Sequence, residues 1–222
     1  MKSVSNLDKQ LAETKAAMRR ESGDEVVDQQ EALIHTLREL GVGRDAIAVG
    51  DRAPGFYLPD QVGAPVTLAD LLKLGSVVLS FFRGAWCPFC ETELKALHMA
   101  LPQIEQRGAR LVAISPQVIE KSMTMAERLL LDYSILSDEG NAAAQEYGLA
   151  FEIPEEFREF REFHDGMVNL EEFNADLRYL LPIPATYVID RSGIVRSSYV
   201  DPDYTGRADL AEVLDALDEI GP

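Results

Sequence analysis

Val77-Val78-Leu79-Ser80-Phe81-Phe82-Arg83-Gly84-Ala85-Trp86-Cys87-Pro88-Phe89-Cys90 is the stretch that decides the fold. Residues 76–82 run apolar without polar alternation, as a central strand buried on both faces does. After Pro88 the pattern changes to a helical one, with Leu94, Leu97, Leu101 and Ile104 recurring at intervals of three and four before Gly108 stops the run. The junction therefore places Cys87 at the helix N-cap and Pro88 at the first helical position, where its missing N–H costs nothing. Unpaired backbone N–H groups and the positive end of the helix dipole then face the Cys87 sulfur and favour its thiolate. Cys90 lies one turn further in, near enough for an intramolecular disulfide and more shielded. This assigns Cys87 as nucleophile and Cys90 as resolving thiol.

The strand has neighbours of the same kind. Ala109–Ser115 reads as a second buried strand, residues 118–131 as a helix and residues 133–136 as a short strand. Residues 141–147 read as a short helix, and 184–190 and 194–200 as two strands joined at the turn Asp190-Arg191-Ser192-Gly193. A last helix covers about 209–217, and Thr67 caps a helix through Leu68–Leu72. The alternation is α/β. Upstream, residues 3–20 and 25–40 carry helical stripes, so 1–48 reads as a helical extension that covers the domain or a partner subunit, with the redox domain at 49–222. Residues 150–182 fit the alternation poorly and read as an insertion. Within it, Phe157, Phe160 and Phe163 stand three apart, which suits a helix packing its Phe face on the core, or a lid or homodimer surface.

Composition narrows the function. The chain has 222 residues, 38 acidic and 21 basic, for a net charge of −17, with 46% hydrophobic and 27% charged residues. Those proportions exclude a disordered chain, and the charge disfavours nucleic acid and anionic lipid as partners. No apolar run reaches the roughly 18 residues that span a bilayer, and the N-terminus offers no apolar signal region. The expected location is the cytoplasm. Two cysteines are too few for a disulfide-stapled fold and, in a reducing compartment, point to redox chemistry. A zinc site wants four ligands, and His35, His98 and His164 are not paired to supply them, so no metal and no cofactor is expected.

Arg83-Gly84-Ala85-Trp86-Cys87-Pro88-Phe89-Cys90 is similar to the R-G-x-W-C-P-x-C signature of peroxiredoxin-like proteins in the alkyl hydroperoxide reductase/thiol-specific antioxidant group of the thioredoxin superfamily. Gly50-Asp51-Arg52-Ala53-Pro54, with Phe56 and Leu58, resembles that group's G-D-x-A-P-x-F-x-L opening, and Ile183–Asp190 resembles the superfamily's strand after a cis-proline. The resemblance implies a thioredoxin fold and a thiol-dependent peroxidase working through a Cys87–Cys90 dithiol/disulfide cycle, with a hydroperoxide as substrate and a thioredoxin-like dithiol as reductant. It puts Trp86, Pro88, Pro184 and Thr186 at the substrate face, with Pro184 cis.

The chain departs from the parent patterns at four positions. Ser80 and Gly84 stand where typical peroxiredoxins carry the Pro and Thr of P-x-x-x-T-x-x-C, and Pro184 stands where their Arg precedes the last strands. Phe81 occupies the position of the buried thioredoxin Asp. Arg83, the one cation within six residues of Cys87, is then either a solvated loop charge or the group that stabilises thiolate and peroxide oxygens. Glu91 and Glu93 suit the first helical turn as complements to the dipole, and His98 lies three turns away as a structural residue. A disulfide reductase and a non-catalytic interaction module with an acidic surface are the alternative functions.

Overall fold

The computed structural model describes residues 7–159 and 169–221. Helices α1 (Leu7–Ser22) and α2 (Asp24–Glu39) are followed by the short strands β1 (Tyr57–Pro59) and β2 (Pro65–Thr67), then α3 (Leu68–Leu74) and β3 (Val77–Phe81). Next come α4 (Pro88–Gln106), β4 (Arg110–Ser115), α5 (Ile119–Leu129), β5 (Ser134–Ser137) and α6 (Ala142–Glu146). The chain closes with β6 (Ala150–Glu152), α7 (Leu170–Asn174), β7 (Leu180–Pro182), β8 (Ala185–Ile189), β9 (Val195–Val200) and α8 (Leu210–Ile220). No helix among the described residues is long and apolar enough to cross a membrane.

β3 is the middle of a five-stranded sheet ordered β5-β4-β3-β8-β9. It pairs in parallel with β4 and antiparallel with β8, and all five of its residues are buried, as the unbroken apolar run requires. Side chains alternate across it: Val78 joins the core under α4 and α8, whereas Val77, Leu79 and Phe81 join the core on the opposite face. The β8–β9 turn is built by Asp190, whose carboxylate accepts from the Ser192 and Ile194 N–H groups at 2.8 and 3.0 Å and from Arg196 Nε at 2.6 Å. Thr67 caps α3 as its sequence suggests, its hydroxyl accepting from Asp70 N at 3.0 Å.

The N-terminal helices pack on the rest of the chain. Leu7 and Leu11 of α1 enter the core beneath α4, and Leu33, Ile34 and Leu37 of α2 form a further cluster with Phe151, Phe157, Leu181, Ile183 and Tyr204. Phe157 belongs to a single 3-10 turn, Glu155–Phe157, and is buried. Phe160 and Phe163, the other members of the expected Phe face, lie outside the described residues. Two strands absent from the sequence reading flank that region: β6 and β7 pair antiparallel, Phe151 opposite Leu181.

The cis-proline expectation is corrected. No peptide bond among the described residues is cis, so Ile183–Pro184 is trans. The chain passes from β7 into β8 across only these two residues, with Ile183 N–H bonded to Leu149 O at 2.9 Å, and the trans bond is the lower-energy way to join two extended segments.

The α2 cluster reaches the motif loop through Tyr204, so α2 should be part of the cooperative core. Leu37→Ala, at a side chain 1% exposed, is expected to lower the unfolding free energy by about 2–5 kcal/mol in urea denaturation. A loss below about 1 kcal/mol would mean that α2 unfolds separately.

Candidate active site

Cys87 caps α4 in an extended conformation (φ −89°, ψ 112°), with Pro88 opening the helix. Its backbone is held on both sides, its N–H bonding Gly84 O at 3.1 Å and its carbonyl accepting from Glu91 N at 3.0 Å. The preceding loop is tied to the ends of the parallel strands: Ala85 N donates to Gln117 Oε1 at 2.8 Å, Gln117 Nε2 to Ser122 Oγ at 3.1 Å, and Ser122 Oγ meets Ser137 Oγ at 3.0 Å. Gly84 is required here. Its φ is +154°, and a Cβ would stand 2.5 Å from Trp86 Nε1, so any side chain would push the indole off the loop.

Both cysteines are free thiols and fully buried, Cys87 as much as Cys90, so the greater shielding expected of Cys90 is corrected. Burial opposes ionisation of Cys87, but a hydrogen bond from the Cys90 thiol and then the charges of Arg83 and Arg207 overcome it, holding Cys87 at about 6. Cys90 moves the opposite way. Burial, its hydrogen bond to Cys87 and the Cys87 charge push it well above the ordinary thiol range. The reactive thiol of the pair is thus the one at the helix end.

Arg83 is not a solvated loop charge. It is 1% exposed, its guanidinium carbon 3.9 Å from the Tyr204 ring centroid and 4.5 Å from that of Trp86. Flat contact with two aromatic faces lets a cation stay charged in a dry site, worth about 2 kcal/mol where desolvated. Trp86 and Pro88 are half-buried. They border a cleft of about 420 Å3 between α1, α2 and the start of α4, lined also by Thr14, Met18, Val26 and Thr92. Pro184 is buried at the start of β8. Thr186, 4% exposed, directs its hydroxyl to Glu93 Oε1 at 3.3 Å and so faces the interior.

The two carboxylates of the first turns part company. Glu91 remains at the surface, bonded to Lys95 at 2.6 Å and Arg128 at 2.8 Å, in keeping with a first-turn acid. Glu93 is 1% exposed and does not serve the dipole from outside. Its carboxylate takes Ser80 Oγ at 3.4 Å and Thr186 Oγ1 at 3.3 Å, and it is paired with Arg207 Nε. Arg207, 5% exposed, also donates to Tyr204 O and Gly206 O, both at 2.6 Å, and its Nη2 lies 3.2 Å from Cys90 Sγ. Sequence reasoning missed Arg207, which stands 117 residues from Cys90. His98 stays outside the site, its Nδ1 accepting from Asp132 N at 3.4 Å.

This strand–Cys-x-x-Cys–helix site on a five-stranded sheet is that of a peroxiredoxin-like protein with a thioredoxin fold. The sequence model of the AhpC/TSA family matches residues 49–198, and the chain belongs to that family. Among its relatives, chloroplastic peroxiredoxin Q of Sedum lineare is 29% identical over 153 residues, 69% of each chain. Peroxiredoxin Bcp of Escherichia coli K12 is 32% identical over 103 residues, which cover 46% of this chain and 65% of the relative. The crystal structure of peroxidoxin BcpB from Mycobacterium tuberculosis superimposes with a TM-score of 0.62 at 26% identity, covering 79% of this chain and 99% of that one.

The geometry gives a direct expectation for the thiol titration. Alkylation of the reduced protein should modify Cys87 first, with a rate that rises as pH passes through about 6 and the thiolate forms. Arg83→Met removes one of the charges favouring that thiolate and should move the midpoint up by about one unit. An unchanged midpoint would remove Arg83 from the site's electrostatics.

Proposed function

We propose that this chain is a thiol-dependent peroxidase in which Cys87 is oxidised by a hydroperoxide and Cys90 resolves it. The observation that carries this reading is the pair of buried free thiols at the N-terminus of α4, with Arg207 Nη2 3.2 Å from Cys90 Sγ, an arrangement that favours the Cys87 thiolate and disfavours that of Cys90. Family membership and the peroxiredoxin names of its relatives support it.

In the reaction, the Cys87 thiolate attacks one oxygen of the peroxide; the O–O bond breaks, the other oxygen leaves as alcohol or water after taking a proton, and Cys87 becomes a sulfenic acid. The leaving oxygen gains negative charge in the transition state, and Arg83, fixed between two rings, is the cation on the loop beside the sulfur. Cys90 then condenses with the sulfenic acid and water is lost. A thioredoxin-like dithiol resets the disulfide by two exchanges, ending oxidised itself. Trp86 and Pro88, at the rim of the cleft, are the residues that meet substrate or reductant first. Pro184 and Thr186 support the site from within rather than contact substrate. The reducing cytoplasm is the compartment that suits the cycle.

Stopped-flow mixing of the reduced protein with hydrogen peroxide, an organic hydroperoxide and a protein disulfide tests the proposal, read by the fluorescence of Trp86, the single tryptophan. Peroxide is expected to oxidise it far faster than free cysteine. Cys87→Ser should abolish the reaction, and Cys90→Ser should still undergo one oxidation to a trappable sulfenic acid. Slow peroxide with fast disulfide exchange would make the chain a disulfide reductase instead.

A further inference from the structure

The mechanism above uses Cys90 only as a thiol that condenses, yet the structure surrounds it with a buried ion pair. We propose that Arg207 is a catalytic residue of the resolving step, its guanidinium holding the Cys90 sulfur as thiolate during attack on oxidised Cys87, and that Glu93 is the positioning residue that fixes Arg207 there. The inference rests on the peroxidase reading.

The contacts leave Arg207 little freedom. Nε is paired with Glu93, Nη1 donates to two backbone carbonyls at 2.6 Å, and Nη2 is left facing Cys90 Sγ at 3.2 Å. Glu93 is itself fixed by Ser80 from β3 and Thr186 from β8, two neighbouring strands of the central sheet. An arginine serving only to neutralise a buried glutamate would need no sulfur contact. A guanidinium fork donates several N–H bonds at fixed angles, and one of them is spent on the thiol.

The order of the steps gives this contact its use. While Cys87 is a thiolate, its charge opposes ionisation of Cys90 across the pair. Oxidation to the neutral sulfenic acid removes that charge, whereas Arg207 stays. Cys90 then ionises, its sulfur donates an electron pair to the Cys87 sulfur, the S–S bond forms and the S–O bond breaks. The departing hydroxide takes up the proton Cys90 released and leaves as water, so the peroxide already consumed is the only oxidant. The remaining titratable neighbours do not compete, for burial keeps Tyr133 protonated and pushes Tyr199 up to about 12. Arg83 adds a second, weaker pull toward the thiolate.

The test reads Cys90 alone, by the ultraviolet absorbance of its thiolate across pH in a Cys87→Ser background, which needs no peroxide. Arg207→Met should raise the Cys90 midpoint by about one unit, and Arg207→Lys, which keeps the charge, should recover most of it. Glu93→Gln, which removes the counter-charge but keeps shape and hydrogen-bonding capacity, should lower the midpoint. Opposite signs are the signature, since a structural role would move both variants the same way. With Cys87 intact, Arg207→Met should slow disulfide formation about tenfold at neutral pH while slowing the initial oxidation less. Shifts of equal sign, or no shift in either variant, overturn the proposal; if Arg207→Met does not fold, Glu93→Gln and Arg207→Lys still decide it. A wild-type protein that ignores peroxide would sink the peroxidase reading without touching the Cys90 titration.

Discussion

A thiolate can be kept in a dry interior only if something positive is buried with it. Around Cys87, among the described residues, the chain buries the guanidinium groups of Arg83 and Arg207, which favour the thiolate, and the carboxylate of Glu93 beside Arg207. Much of the surrounding structure follows from this. Arg83 is held against two aromatic faces, so Tyr204 is buried in the α2 cluster and Gly84 gives Trp86 room to fold back. Arg207 needs Glu93, and Glu93 needs Ser80 and Thr186 from the sheet. The Ser at position 80 of an otherwise apolar strand thus has a physical reason, as does the Thr facing it across the pair β3–β8.

The elements set by local patterns were readable before any coordinates. The unbroken run at 77–81, the heptad-like spacing of Leu94, Leu97 and Leu101, the Asp190 turn and the Cys-Pro junction each declare themselves within a few residues. Cys87 and Cys90 were legible for the same reason. Arg207 was not, because it is brought to Cys90 only by the return of the chain after β9, and nothing in the local sequence marks it. Glu93 did leave a signal. It lies three residues beyond Cys90 and four before Leu97, on the apolar stripe of α4, whereas Glu91 lies off it, so helical phase alone separates the surface acid from the buried one. The β6–β7 pair was hidden by its length, three residues a strand, and by the segment between them.

The attraction between thiolate and arginines also orders the redox chemistry. Converting the Cys87 thiolate and the Cys90 thiol into a disulfide removes the buried negative sulfur toward which Arg83 and Arg207 pull. The oxidised state therefore loses an attraction, strong in a low-dielectric site, that the reduced state keeps. Stabilising the reduced form makes a Cys-x-x-Cys disulfide easier to reduce, since every exchange that regenerates a thiolate here restores its attraction to the two arginines. In a peroxidase cycle the peroxide drives oxidation strongly enough to tolerate that cost, and reset by an external dithiol is the step that gains. The same two arginines that ionise Cys87 for attack thus favour the return of the pair to the state in which it can attack again.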